Sequence, residues 1–172
     1  MTGKVLFSMI LLLSLLLAVP AGAGAEEGSS LFVQKVGNLP DDFIFGMDVS
    51  SVLAEEASGV VYYDFDGNPA DLFRVLADNG VNYIRVRVWN DPYDSQGRGF
   101  GGGNCDIAAA VEIAKPATAA GQKLLVDFHY SDFWADPGKQ MVPRVWKDME
   151  IEEKTEAVYR HTKDCQIGRA HV

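Results

Sequence analysis

The chain of 172 residues is 48% hydrophobic and carries 15 Lys and Arg against 24 Asp and Glu, a formal net charge of −9. So acidic a surface argues against nucleic acid and anionic membranes as partners, and it suits a neutral substrate. The two cysteines, Cys105 and Cys165, make no disulfide framework, although an extracellular setting permits a pair, and neither has metal-ligand spacing.

In chain order, the first segment reads as targeting rather than fold. Lys4 precedes an apolar run from Val5 to Val19, and the small-residue stretch PAGAGA follows before Glu26, which is the pattern of a secretory signal peptide over residues 1–25. The run is shorter than the roughly 20 apolar residues a spanning helix needs. Secretion is therefore expected, with cleavage after Ala25, because Ala23 and Ala25 supply small residues at alternate positions. Mass analysis of the secreted N-terminus checks this: Glu26 is the expected first residue, and a start well inside the apolar run contradicts it. Residues 26–40 read as a polar leader, and the fold is expected over 41–165.

Three strand-like segments then recur about forty residues apart: FIFGMDVS from Phe43, YIRVRVW from Tyr83 and KLLVDFHYS from Lys123. Each is followed by a helical pattern. After the first come a short helical SVLAEEASG, a hairpin with an Asp66-Gly67 turn, and a helix opened by Asn68 as N-cap with Pro69 at its first position and closed by Asn79-Gly80. The second helix runs from Asp106 toward Gly121 with Ile107, Ala110, Val111 and Ala114 on one face. Pro116 lies inside it, where a proline costs about 3 kcal/mol. A third helix, from about Glu150, places Val158, Tyr159 and Thr162 together. The closing QIGRAHV, Gln166 to Val172, matches the translation of a string that resembles a short-read sequencing adapter, so residues 166–172 are expected to be a non-native tail and His171 is given no role.

Strands alternating with helices predict an α/β fold with a parallel sheet and right-handed crossovers. A doubly wound sheet usually places a Gly-rich turn straight after its first strand, and GMDVSSVL has none. A (β/α)8 TIM barrel, of which about the first three βα units are present, fits better, because side-chain parity separates two faces. Phe45, Met47 and Val49, then Ile84, Val86 and Val88, then Leu124, Val126 and Phe128 make an apolar face that must meet helices. Gly46, Asp48 and Ser50, then Arg85, Arg87 and Trp89, then Leu125, Asp127 and His129 make a face that turns polar toward the C-terminal strand ends, where a barrel keeps its chemistry. Burying two Arg and two Asp there is costly unless they pair, and their matched signs predict that they do. Asp48, Arg85 and His129 are read as substrate contacts, whereas Asp127 and Arg87 stand open between contact and an internal ion-pair network.

The stretches GMDVSSVL, DNGVNYIRVRVWNDPYD (Asp78 to Asp94), GGGNCD (Gly101 to Asp106) and LLVDFHYSDFWADP (Leu124 to Pro137) together resemble the N-terminal part of glycoside hydrolase family 53, the arabinogalactan endo-β-1,4-galactanases, over roughly Phe43 to Lys163. The resemblance implies a secreted (β/α)8 barrel that cleaves β-1,4-galactan, the side chains of type I arabinogalactan, with retention of configuration. It implies that Asp48, Arg85, His129 and Trp134 belong to the substrate cleft. Arg85 suits a two-point pair with a carboxylate, Trp134 an apolar face for a sugar ring, and Asp132 and Ser131 the sugar hydroxyls.

A retaining glycosidase needs two carboxylates about 5 Å apart. In the family both are glutamates after later strands, the first in a Gly-Asn-Glu motif on the fourth, which this chain does not contain. Glu55, Glu56, Glu112, Glu150, Glu152, Glu153 and Glu156 all fall in helical or helix-start patterns and read as solvated. No catalytic residue, metal ligand or cofactor is therefore assigned to this stretch. Pro116 and the pair Asn104-Cys105 depart from the family's usual pattern. Three alternatives remain open: a glycosidase acting on another β-glycan, a metal-dependent barrel hydrolase built on Asp127, His129 and Asp132 but short of a second His ligand, and a non-catalytic sugar-binding protein.

Overall fold

A computed structural model of the chain describes residues 34–170, with side chains described as far as Gln166. The signal peptide expected over 1–25, most of the leader, and His171 lie outside the described residues. None of the described helices is long and apolar enough to cross a membrane.

The elements follow the expected alternation: β1 (Gly46–Asp48), α1 (Val52–Ala57), α2 (Leu72–Asp78), β2 (Tyr83–Val88), α3 (Ile107–Ala119), β3 (Lys123–Phe128), a single 3-10 turn (Arg144–Trp146) and α4 (Ile151–Ala170). The strands form one parallel sheet in the order β1-β2-β3, with Asp48 opposite Arg85 and Arg87 opposite Asp127. β1 is short because side chains take over its pairing at both ends. Asn82 accepts from the Phe45 amide at 2.9 Å and donates to the Phe43 carbonyl at 2.8 Å, and the Arg87 amide donates to Ser50 Oγ at 2.8 Å.

The helices cover one face of the sheet. Ile84, Val86, Val88 and Leu124 meet Val52, Phe73, Ala110, Ile113, Ala114, Ala117 and Cys165 in a single apolar core, as side-chain parity requires. The first strand departs from the expectation. Phe45 and Met47 remain about half exposed, because the described helices pack over β2 and β3 rather than over β1.

Two local expectations are corrected. Asp71, not Asn68, caps α2, its carboxylate accepting from the Arg74 amide at 2.8 Å. Asn68 is already committed to the hairpin, where its N–H donates to Asp64 Oδ1 at 2.8 Å and its carbonyl accepts from the Asp64 amide at 2.9 Å. Pro69 bridges to Tyr63 in extended backbone. On α4 the buried pair is His161 and Cys165, four residues apart, while Tyr159 is 59% exposed. His161 is accommodated by the Asn90 amide, 3.2 Å from its Nδ1, and by Cys165 Sγ, 3.8 Å from its Nε2. A periodicity count that treats His as polar and Cys as rare misplaces that face.

Both cysteines are buried and unpaired. Burial pushes the Cys105 thiol up to about 12 and the Cys165 thiol up to about 11, so neither is a nucleophile at neutral pH. α3 continues across Pro116. Its missing N–H leaves the carbonyl of exposed Glu112 to water.

Candidate substrate cleft

The polar face carries one hydrogen-bonded row across all three strands. Arg85 donates through Nη1 to Asp48 and through Nη2 to Asp127. Asp127 Oδ2 also meets His129 Nε2 at 3.0 Å. At the other end Asp48 Oδ1 accepts from the Ser50 amide at 3.0 Å and from its hydroxyl at 2.7 Å. Burial pushes the Asp48 carboxyl up, but the two Ser50 donors and the Arg85 and Arg87 guanidiniums outweigh it and hold the group below its ordinary value. A carboxylate stabilised in this way is a fixed acceptor rather than a proton donor. Three of the side chains expected at the site, Asp48, Arg85 and His129, thus lie in a single row.

The expected pairing of Arg with Asp forms through Arg85 alone. Arg85 takes both carboxylates, and Arg87 makes no ion pair among the described residues. Its guanidinium instead lies over two indoles, with Cζ 4.4 Å from the ring centroid of Trp89 and 3.9 Å from that of Trp134, and Nη2 donates to the Gly102 carbonyl at 3.0 Å. The register does not decide this, since Arg87 stands directly opposite Asp127. The branched Arg85 guanidinium spans Asp48 beside it and Asp127 two positions beyond the residue opposite it on β3, and the Arg87 side chain turns to the two indoles instead.

Trp134 sits on the loop after β3, 46% exposed, edge-on to Trp89 with centroids 5.4 Å apart. Its surroundings include the Gly101–Gly103 loop that follows β2. A Cβ on Gly103 would lie 2.5 Å from the Ser50 carbonyl oxygen, and one on Gly102 would lie 3.1 Å from the Trp89 ring, both residues having positive φ. Only glycine lets this loop run in contact with the end of β1.

Asp132 bonds to loop backbone and not to the row. Its two oxygens accept from the backbone amides of Asp91 at 3.1 Å and Arg144 at 2.7 Å, and the Arg144 guanidinium closes the set on Asp91 at 2.6 Å. The carboxylate ties the loop after β2 to the 3-10 turn. Ser131 is buried, with its carbonyl accepting from the Asn90 amide at 3.0 Å. The grouping of Asp127 and His129 with Asp132 is not assembled. Sequence reasoning passed over Ser50, whose position on the Asp48 parity face was the available signal, and the Asp91–Arg144 pair, for which there was none.

Glu55 accepts from the Ser51 hydroxyl and from Tyr62, both at 2.6 Å, and Glu56, Glu112, Glu150, Glu152, Glu153 and Glu156 are exposed. None of these joins the row.

Comparison with known proteins agrees with this geometry. The family model for glycosyl hydrolase family 53 matches residues 44–167. An endo-β-1,4-galactanase of Bacillus subtilis is 56% identical over 137 residues, covering 80% of this chain and 32% of the relative. An arabinogalactan endo-β-1,4-galactanase of Thermothelomyces thermophilus is 43% identical over 120 residues, covering 70% and 33%. The solved family 53 catalytic domain of Ignisphaera aggregans superposes with a TM-score of 0.78 at 47% identity, over 81% of this chain and 39% of that one. The chain spans about a third of the length of the curated relatives it matches. The sheet, the row of charged side chains at its C-terminal strand ends and a match over residues 44–167 lead to one assignment: the chain belongs to glycosyl hydrolase family 53.

Proposed function

We propose that this chain supplies the first three βα units of a secreted (β/α)8 barrel, a retaining endo-β-1,4-galactanase that hydrolyses the β-1,4-galactan of type I arabinogalactan outside the cell. The observation that carries the reading is the row from Ser50 to His129 at the C-terminal strand ends, beside a half-exposed Trp134, in a chain 56% identical to a protein named for that activity. Helices on one face of the sheet and polar side chains on the other support the barrel.

In this reading the row is the scaffold of the cleft and the chemistry is supplied by two glutamates of later strands, about 5 Å apart. Arg85 fixes Asp48 and Asp127, and Asp127 orients His129. Trp134 gives the polymer an apolar surface, since the C–H face of a galactosyl ring packs on an indole without loss of hydrogen bonds.

The test is a full barrel in which residues 34–165 are continued by the downstream units of the Bacillus subtilis relative. Reducing-sugar release from β-1,4-galactan is expected, with far less from cellulose or mannan. Preference for either of those polymers would assign the cleft to another β-glycan, and binding without release would make it a sugar-binding module. In the same hybrid Trp134→Ala is expected to raise KM up to about tenfold with little change in kcat, the loss of one stacking surface. Unchanged kinetics would return Trp134 to a packing role at the rim.

A further inference from the structure

Arg87 is the charged group that the row of ion pairs leaves over. It is 6% exposed. The two carboxylates in its neighbourhood are held by Arg85, its Nη2 reaches only the Gly102 carbonyl, and its Nε has no hydrogen-bond partner among the described residues. Burial pushes its pKa down, although the nearby charges of Asp48 and Asp127 act in the other direction. A guanidinium buried without a carboxylate in hydrogen-bonding contact is a poor way to stabilise a fold, and an apolar side chain of similar length would fill the same space without the desolvation penalty.

What an apolar side chain would not supply is a flat cation against an aromatic ring. The guanidinium lies 3.9 Å from the Trp134 centroid and 4.4 Å from that of Trp89. The two indoles meet edge to face at 83°, so the same group contacts both and sets the angle between them. Trp134 otherwise has the freedom of a loop residue, and beyond it lies a groove lined by Phe100, Lys139, Met141 and Val142. A lysine in place of Arg87 would keep the charge but lose the plane and the fork that make stacking and the Gly102 hydrogen bond simultaneous.

We propose that Arg87 is the positioning residue for Trp134: its guanidinium covers one face of the indole and fixes the ring against Trp89, leaving the other face as the surface on which a galactosyl residue of the polymer packs. This rests on the galactanase reading above. Arg87 acts through Trp134 and does not itself touch the sugar.

The test is a double-mutant cycle in the hybrid barrel, with kinetics on β-1,4-galactan and a thermal melt for each variant. Arg87→Lys and Arg87→Met are each expected to raise KM about fivefold while leaving kcat within about twofold, the scale of one cation–π contact to a half-exposed ring. In a Trp134→Ala background the same substitutions are expected to add nothing, because the group they orient is gone. An unchanged KM in either single variant, or penalties that multiply in the double variants, overturns the proposal. Loss of folding in both the Lys and Met variants overturns it too and makes Arg87 a structural residue. An unmodified hybrid that releases no sugar overturns the galactanase reading and this proposal with it, whereas an active hybrid with multiplying penalties overturns this proposal alone.

Discussion

Lysine in place of Arg85 is expected to lower kcat on β-1,4-galactan about a hundredfold in the completed barrel, with KM much less affected. Arg85 holds Asp48 with one terminal nitrogen and Asp127 with the other. A lysine has a single ammonium and reaches one of them. Whichever carboxylate is released also releases what it holds: Ser50 on the β1 side, or His129, whose Nε2 lies 3.0 Å from Asp127, on the β3 side. The ion pairs themselves are partly open to solvent, with Arg85 at 41% side-chain exposure, so the loss in stability is modest while the loss of alignment is not. Steady-state kinetics and a melt decide. A kcat within a few-fold of the unmodified hybrid would mean that the row organises the sheet without setting the geometry of the reaction.

The 172-residue chain expressed by itself is expected to give no reducing sugar from β-1,4-galactan and no cooperative thermal transition. Among the described residues β1 and β3 each have one unpaired edge, and Phe45, Met47 and Leu125 on these strands are substantially exposed. Open strand edges beside uncovered apolar side chains favour association over a folded monomer. On the proposed galactanase reading, which places the nucleophile on a later strand, even a folded chain gains no rate from binding sugar. Circular dichroism and a reducing-sugar assay test both parts together. A cooperative transition accompanied by release would place the chemistry within this chain, and Asp48, Asp127 and Asp132 would be the first carboxylates to replace.

The strands, their faces and most helix ends were legible in the sequence because they depend on local rules. Parity alone separated Ile84, Val86 and Val88 from Arg85 and Arg87. Asp106 caps α3 as read, and Asn79-Gly80 ends α2. The misplaced cap at Asn68 shows the limit of local reading: Asn-Pro and Asp71 carry equally good cap chemistry, and what separates them is that Asp64 has already taken the Asn68 amide. The polar face was legible as a set of residues but not as a set of bonds. Matched signs predicted that the charges pair but not with whom: Arg85 takes both aspartates, and Arg87 lies against the tryptophans although Asp127 is its register partner. The bonds of Asp132 were not legible either, since its partners are backbone amides 41 and 12 residues away in sequence, and these carry no signature in the residue types.

The same arrangement of Arg85, Arg87, Asp48 and Asp127 has an electrostatic consequence for the whole molecule. Two positive and two negative side chains cancel within one wall of the cleft, although the chain as a whole carries a formal charge of −9. The excess of acid in these 172 residues therefore lies elsewhere, on helices and loops. On the galactanase reading, a neutral polymer approaching this wall meets hydrogen-bonding groups but little net field, and salt is expected to leave its capture unchanged.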